Sequence, residues 1–195
     1  MRTTIICSGL AFLALALAAG VQAAAGSHPT LRAAPAVVER GSALTLSGSG
    51  WPAGSAVRLL AGPLRSEAEP IRTVRAANGS FRAVLPIAAA ATPGSYLFLA
   101  CLDACRVKAT AAVTIVVSRA QALALVRKAA TAKAGACGFT IAGLGASLYT
   151  RPVAGWRVDV RLRFSDHADT ARWNVVGAKA VPGDPLAGEI AAGCP

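Results

Sequence analysis

Short segments in which apolar and polar residues alternate fill the chain from residue 36 to residue 117. Leu44–Ser47 alternates in this way; the alternation stops at Gly48–Gly54 and resumes at Val57–Leu59. Asn78–Gly79 favours a tight hairpin turn, because both residues tolerate positive φ. About seven such strands in roughly eighty residues are typical of a β-sandwich. We therefore predict a β-sandwich over residues 36–117.

A helical pattern replaces the alternation at Ser118. Ser118 and Gln121 have the spacing of a capping box, in which each side chain bonds the other residue's backbone N–H. Residues 119–134 are rich in alanine, leucine, arginine and lysine and contain neither glycine nor proline. We predict a helix over these residues that ends at Gly135, because glycine favours helix ends.

Strands are predicted again after this helix. The segment GWRVDVRLRF alternates strictly, so its large apolar side chains should face a core and its charged side chains should face solvent. Asp184 and Pro185 are residue types favoured at a helix start, and we expect a short helix from there to Ala192. One helix ahead of an antiparallel sheet predicts a small α+β domain over residues 118–195. The predicted strands are 139–141, 146–150, 155–164 and 171–180.

Several short motifs resemble known families. GSGWPAG, ANGSF and PGSYLFLAC, in this order, resemble the bacterial immunoglobulin-like modules of secreted proteins, which implies an immunoglobulin-like fold for residues 36–117. The hairpin from Cys101 to Cys105, with ANGS and LSGSGWPAG, is also similar to the neocarzinostatin family of chromophore-carrying apoproteins. That family's second disulfide has no counterpart between Trp51 and Ile71, so only the fold is carried over. The helix with GWRVDVRLRF and ARWNVV resembles PepSY-type modules, which implies a cystatin-like plan for residues 119–194.

The N-terminus has the pattern of a signal peptide. Arg2 precedes an apolar run, Leu10–Ala19, and small residues follow up to Ala23 and Ala25. This pattern predicts a signal peptide over residues 1–25 and a secreted, periplasmic or cell-envelope protein. An uncleaved anchor is the alternative. No later segment is long enough to cross a bilayer.

Cysteine usage also favours export. The chain has five cysteines, and four remain once Cys7 leaves with the signal peptide. An even number outside the cytosol is what two disulfides require. Cys101 and Cys105 flank a hairpin-like Leu-Asp-Ala, whereas Cys137 and Cys194 lie far apart in the C-terminal half. We predict the disulfides Cys101–Cys105 and Cys137–Cys194.

Positive charge limits the choice of partners. The formal net charge is +11, which favours anionic cell-wall polymers, acidic polysaccharide or lipid head groups. The basic residues are mostly scattered arginines and aromatic residues make up 5% of the chain, which disfavours nucleic acid. The alternative is an ordinary solvated surface rich in arginine.

One group of arginines lies in a regular row. Arg157, Arg161 and Arg163 share the predicted outward face of GWRVDVRLRF, and Arg172 is expected across the hairpin. These four residues are the predicted binding site for an anionic polymer. In the alternative interpretation this is an ordinary exposed sheet face on which Asp159 partly neutralises its neighbours.

Catalytic groups are scarce. His167 lies between Asp166 and Asp169, where a base or a metal site is conceivable, but an exposed polar loop explains the same residues. No G-x-S-x-G motif is present, and the nearest carboxylate pair, Glu67 and Glu69, lies in a predicted loop. We therefore expect no catalytic residue, no metal and no cofactor.

These patterns together predict a non-enzymatic exported protein. We expect a binding or interaction module at the cell envelope or outside the cell, with an anionic polymer, a polysaccharide or a protein as its partner. Two alternatives stay open. One is a small-molecule carrier of the chromophore-binding type, and the other is a hydrolase that uses His167.

Overall fold

The computed structural model describes residues 28–194, which are mainly β-structure. The predicted signal peptide, residues 1–25, lies outside the described residues. A short 3-10 turn at Asp103–Cys105 joins two of the strands. The strands are β1 (Thr30–Ala34), β2 (Val37–Glu39), β3 (Ala43–Ser49), β4 (Ala56–Pro63), β5 (Glu69–Arg75), β6 (Phe81–Pro86), β7 (Gly94–Leu102), β8 (Val107–Val116), β9 (Thr140–Tyr149), β10 (Gly155–Arg163), β11 (Ala168–Val176) and β12 (Lys179–Pro182), and the helices are α1 (Arg119–Cys137) and α2 (Pro185–Ala192).

The first eight strands form two sheets that enclose one apolar core. One sheet has the order β1-β3-β6 and the other the order β2-β8-β7-β4-β5, with a single parallel pair, β2 and β8. Burial follows the alternation of the sequence in β6, where Phe81, Ala83 and Leu85 are buried and the residues between them are exposed. This arrangement is consistent with the predicted β-sandwich. The largest fully buried side chains of this core are Leu44, Leu46, Leu59, Val57 and Val113.

The Asn78–Gly79 turn forms, but the flanking strands do not pair as a hairpin. Asn78 and Gly79 have φ values of 49° and 76°, and Ser80 N donates to Ala77 O at 2.9 Å. Beyond the Ala77–Ser80 bridge, β5 joins one sheet and β6 joins the other. Gly79 O accepts from Trp51 N at 3.1 Å, so the turn is held as a corner between the sheets. The predicted hairpin pairing is therefore wrong, because turn chemistry specifies a reversal and not the strand's partner.

Trp51 lies at one end of the two sheets. Its side chain is buried, its ring centroid is 6.1 Å from that of Phe81, and its Nε1 donates to Thr30 O at 3.3 Å. Gly48 lies under both rings. A Cβ at Gly48 would overlap the Phe81 ring and lie 2.7 Å from Trp51 Nε1. The close approach of the two rings therefore requires glycine at this position.

The last four strands form a third sheet, and both helices pack on one of its faces. Their order is β12-β11-β10-β9 and every pair is antiparallel. The predicted core face of β10 is confirmed, since Trp156, Val158, Val160 and Leu162 are buried. Phe164 follows the strand and is half-buried. A second cluster of buried residues joins this face to α1 and α2; it includes Val126, Trp156, Val158, Val160, Leu162, Trp173, Val175 and Ile190.

Helix α1 begins as predicted and ends later than predicted. Both hydrogen bonds of the Ser118–Gln121 capping box are present. The helix continues through Gly135 to Cys137, and it is capped by Gly138, whose φ is 68°. The predicted helix end at Gly135 is therefore wrong. The residue with the left-handed conformation that is common at helix ends is Gly138, three positions later.

Two predicted strand boundaries are also wrong. Residues 140–149 form one continuous strand where two short strands were predicted, because pairing with β10 carries Gly143 and Gly145 through the sheet. Residues 171–180 divide into β11 and β12 at Gly177, whose φ is 61°. The predicted start of α2 is confirmed, since Asp184 caps it and Pro185 is its first residue.

Hydrogen bonds connect the end of β2 and the residue after it to the first turn of helix α1. Glu39 Oε2 accepts from Arg119 N at 2.8 Å, and Arg40 Nε donates to Gln121 Oε1 at 2.6 Å. Val117, the first residue after β8, is buried in the second cluster. The chain changes from one core to the other directly after β8.

Both predicted disulfides are confirmed. Cys101–Cys105 closes the turn after β7, and Cys137–Cys194 joins the last residue of α1 to the segment after α2. Within residues 28–194, no helix is long and apolar enough to cross a membrane.

Candidate anion-binding face

The arginine row of β10 lies on the face of its sheet opposite the helices. Successive side chains of a strand point to opposite faces, so burial of Trp156, Val158, Val160 and Leu162 against the helices directs the residues between them to solvent. Arg157, Arg161 and Arg163 are all exposed. We call these three residues the arginine row. The structure thus places them together on one open surface.

The fourth predicted binding residue, Arg172, is paired with the only acidic residue of β10. The register sets Arg172 opposite Asp159, and Arg172 Nε lies 3.1 Å from Asp159 Oδ1. Both side chains are nearly half exposed, so this ion pair adds at most about 1 kcal/mol to stability. Its larger effect is on the charge of the face, because the negative charge of Asp159 is paired with Arg172 and not with the arginine row. Within residues 28–194, no carboxylate lies within 4.0 Å of a guanidinium of the arginine row.

Arg161 extends sideways across the neighbouring strand. Gly143 of β9 lies directly opposite Arg161, and a Cβ at Gly143 would be 2.9 Å from Arg161 Nη2 and 3.3 Å from its Cζ. The guanidinium therefore lies over the backbone of β9. Any larger residue at Gly143 would have to displace it. Gly143 was not among the predicted site residues, because a glycine in a strand does not show which side chain crosses it.

One end of the arginine row borders a pocket of about 460 Å³. Arg161 and Arg163 line this pocket together with Asp169 and Thr170 of β11. Asp169 Oδ1 accepts a hydrogen bond from Thr170 N at 2.7 Å. Asp169 stands opposite the buried Leu162 and so belongs to the other face of the sheet, which leaves this end of the outer face positive.

The other end of the row borders a second pocket, of about 340 Å³. Arg157 lines it together with Arg151, Tyr149 and Asn174. Arg151 was missed by the sequence analysis, because it lies in the turn between β9 and β10 and outside the strict alternation. Its position four residues before Gly155, the start of GWRVDVRLRF, is the signal that could have identified it. Two arginines therefore line the pocket at each end of the face.

The His167 loop has the geometry of an exposed turn. His167 Nδ1 lies 2.7 Å from Asp166 Oδ1, and the imidazole ring is stacked on Phe164 with a centroid distance of 4.5 Å. The hydrogen bond from His167 is the main cause that lowers the pKa of Asp166. Both side chains are more than half exposed. Within residues 28–194, no group of three His, Cys, Asp or Glu residues could hold a metal ion.

A separate cavity of about 330 Å³ lies between the two sheets of the first core. It opens beside β5 and β6, which are edge strands of their sheets. Its lining is almost entirely apolar and includes Ala61, Ile71, Leu85, Ile87, Tyr96 and Phe98.

No protein-family model and no curated protein matches this chain. Its function must therefore be inferred from its own surfaces. The strongest of these is the face that carries the arginine row, where three guanidinium groups without a carboxylate partner in the described part of the chain, and a pocket at each end, lie on one sheet.

Proposed function

We propose that the protein is an exported, non-enzymatic binding module that binds an anionic partner through the arginine row. The observation that carries this proposal is the pairing on the outer sheet face. Arg172 forms an ion pair with Asp159. No carboxylate among the described residues forms an ion pair with Arg157, Arg161 or Arg163. Guanidinium groups bind carboxylates and phosphates well because they offer several donors in a fixed plane.

The dimensions of the row favour a polymer over a single small anion. The chain advances about 3.3 Å per residue in a strand, so Arg157 and Arg163 are about 20 Å apart. A repeating anionic chain can contact several guanidinium groups along this length, whereas a lone anion contacts only one end. The pockets at the two ends extend the contact to Arg151.

The location and the domain plan are part of the same proposal. Two disulfides are typical of proteins in an oxidising compartment, which supports secretion or a place in the cell envelope. Two clusters of buried residues that meet near Ser118 support an immunoglobulin-like sandwich followed by a cystatin-like α+β domain. The partner is then an anionic cell-wall polymer, a polysaccharide or an acidic protein.

Immobilised polygalacturonate, an acidic polysaccharide, tests the proposal. The wild-type protein should bind it and elute with salt, because screening weakens contacts between exposed charges. The variant R157E/R161E/R163E should bind about tenfold more weakly or worse, since each reversal replaces an attraction with a repulsion.

The matched control is R58E/R72E/R82E, which changes the net charge equally at exposed positions of the first two sheets. It should retain most of the binding. Equal losses in the two triple variants would show that net charge acts and the row does not. Unchanged binding by R157E/R161E/R163E would reject the proposed site.

The cavity between the sandwich sheets supports a second candidate function, a carrier of a small apolar ligand. Its volume of about 330 Å³ lies at the lower end of the range for ligand pockets, and its lining is apolar. The neutral dye Nile red should bind there, and Ala88→Phe at the rim should reduce that binding. Ala89→Phe, at an exposed residue outside the lining, is the control and should leave it unchanged. Equal dye binding by both variants would exclude the cavity.

A further inference from the structure

The two edges of the C-terminal sheet differ in how they are protected. Strand β12 has only four residues, and these include Lys179 and Pro182. A short strand with a charge and a proline is the usual protection of a sheet edge against other chains. Strand β9, at the opposite edge, has ten residues without a charged residue or a proline. Its one irregularity is a bulge near Ala142, which leaves residues 143–149 in regular register with β10.

In the described part of the chain, the outer edge of β9 has no strand paired to it, and only its end at Leu148 borders residues of the first two sheets, across a cavity lined also by Val37 and Thr114. Among residues 28–194, β9 pairs only with β10, and none of its residues is fully buried. Helix α1 packs on the face of the sheet, where the half-buried residues Ile141, Leu144 and Ala146 belong to its core cluster. Across residues 28–194, no backbone hydrogen bond from an element other than β10 reaches β9. About half of the backbone N–H and C=O groups of β9 therefore point away from β10 with no strand to receive them.

The open edge lies next to the arginine row. Gly143, Gly145 and Ser147 stand opposite Arg161, Asp159 and Arg157. These small residues leave the space above β9 free, and Arg161 already extends into it over Gly143. A strand added to β9 would lie about 10 Å from β10, two strand spacings away, within reach of a long arginine side chain.

We propose that β9 binds an extended acidic segment of a partner protein, which adds to the sheet as a fifth strand. Its backbone pairs with the open edge of β9, and its outward side chains present carboxylates to the arginine row. This inference rests on the proposed function and names the class of partner. Strand addition of this kind takes affinity from backbone hydrogen bonds and specificity from alternate side chains.

Charge favours an acidic partner over a second copy of this chain. Two β9 strands paired antiparallel about a two-fold axis would place both arginine rows on the same face of one continuous sheet. The two β10 strands would then be about 15 Å apart, and each Arg161 would extend toward the other copy. Like charges at this distance repel, whereas carboxylates on an added strand neutralise them.

Two synthetic peptides test this inference with the intact protein. The first has nine residues with glutamate at every second position and threonine or valine between. The second has the same side chains and N-methylated backbone amides, so it keeps the charge and lacks the N–H donors. The unmodified peptide should bind at least about tenfold more tightly, a difference equivalent to one or two backbone hydrogen bonds. It should also slow hydrogen exchange of the amides of residues 143–149 that do not bond to β10.

A protein variant tests the arginine part separately. Arg161→Ala should weaken binding of the unmodified peptide by about tenfold, because a charge-assisted contact next to the added strand is lost. The control, Arg82→Ala, removes an exposed charge from β6 and should leave binding unchanged. An equal loss in both variants would overturn the inference.

The remaining outcomes separate the two proposals. Equal binding of both peptides, or binding of polygalacturonate without binding of either peptide, would overturn strand addition and leave the anion-binding function standing. Absence of binding to every acidic probe would overturn both. The amides of residues 143–149 could also exchange slowly without peptide, and more slowly at higher protein concentration. That result would identify a second copy as the occupant and would also overturn the inference.

Discussion

At the scale of single residues, the smallest side chains decide where the largest ones lie. Gly48 leaves room for the Phe81 ring and for Trp51, and Gly143 leaves room for Arg161. Gly145 stands on the same strand as Gly143, but a Cβ there would meet nothing within 4 Å. Glycines with similar sequence surroundings therefore have different roles, which only their neighbours in space reveal.

Gly48→Ala should destabilise the protein by about 1–3 kcal/mol, because the added methyl group overlaps the Phe81 ring in a packed core. Gly145→Ala is the matched control and should change the free energy of unfolding by less than about 0.5 kcal/mol, as expected for an open surface position. Urea denaturation of both variants measures the difference. Similar values for the two would show that the ring can move away without cost.

At the scale of elements, the two disulfides close loops of very different length. Cys137–Cys194 joins the last residue of α1 to a residue two positions after the end of α2 and closes a loop with a sequence separation of 57 residues. Cys101–Cys105 closes a separation of only 4 residues. A crosslink restricts the unfolded chain more when its loop is longer, so the two bridges should contribute unequally.

Removal of Cys137–Cys194 by C137A/C194A should lower the free energy of unfolding by roughly 4 kcal/mol, and C101A/C105A should lower it by roughly 2 kcal/mol. Calorimetry or urea denaturation under non-reducing conditions gives both values. The order of the two effects is the test. A larger loss for the short bridge would mean that its local contacts, and not loop closure, determine its contribution.

At the scale of the whole molecule, Trp156 holds the segment where the chain passes from one core to the other. Its Nε1 donates to Val117 O at 2.8 Å, in a buried hydrogen bond. Trp173 is equally buried in the same cluster, but its Nε1 has no hydrogen-bond partner among the described residues. The two indoles thus have the same size and burial and differ in one hydrogen bond.

Trp156→Phe should be more destabilising than Trp173→Phe by about 1–3 kcal/mol. Both substitutions remove the same atoms, but only the first leaves a buried carbonyl, that of Val117, without its donor. The free energy of unfolding from chemical denaturation measures the difference. Equal losses would show that Val117 O finds another donor or that water reaches it.

The sequence by itself determined the features that depend on neighbours along the chain. Alternation identified the buried and exposed faces of β10, since side-chain direction in a strand follows from residue spacing alone. The Ser118–Gln121 capping box and the start of α2 were predicted for the same reason. The two disulfides followed from an even cysteine count and their spacing. The arginine row could be named in advance on this basis.

Only the tertiary structure decided which strands are partners. Alternation is the same for a hairpin and for strands of two facing sheets, so Asn78–Gly79 could not reveal that β5 and β6 separate. The same limit applies to the candidate site. Pairing across β10 engages Asp159 with Arg172, sets Gly143 under Arg161 and brings Arg151 to the end of the row. These contacts arise from register between strands, which long-range packing sets and local sequence does not encode.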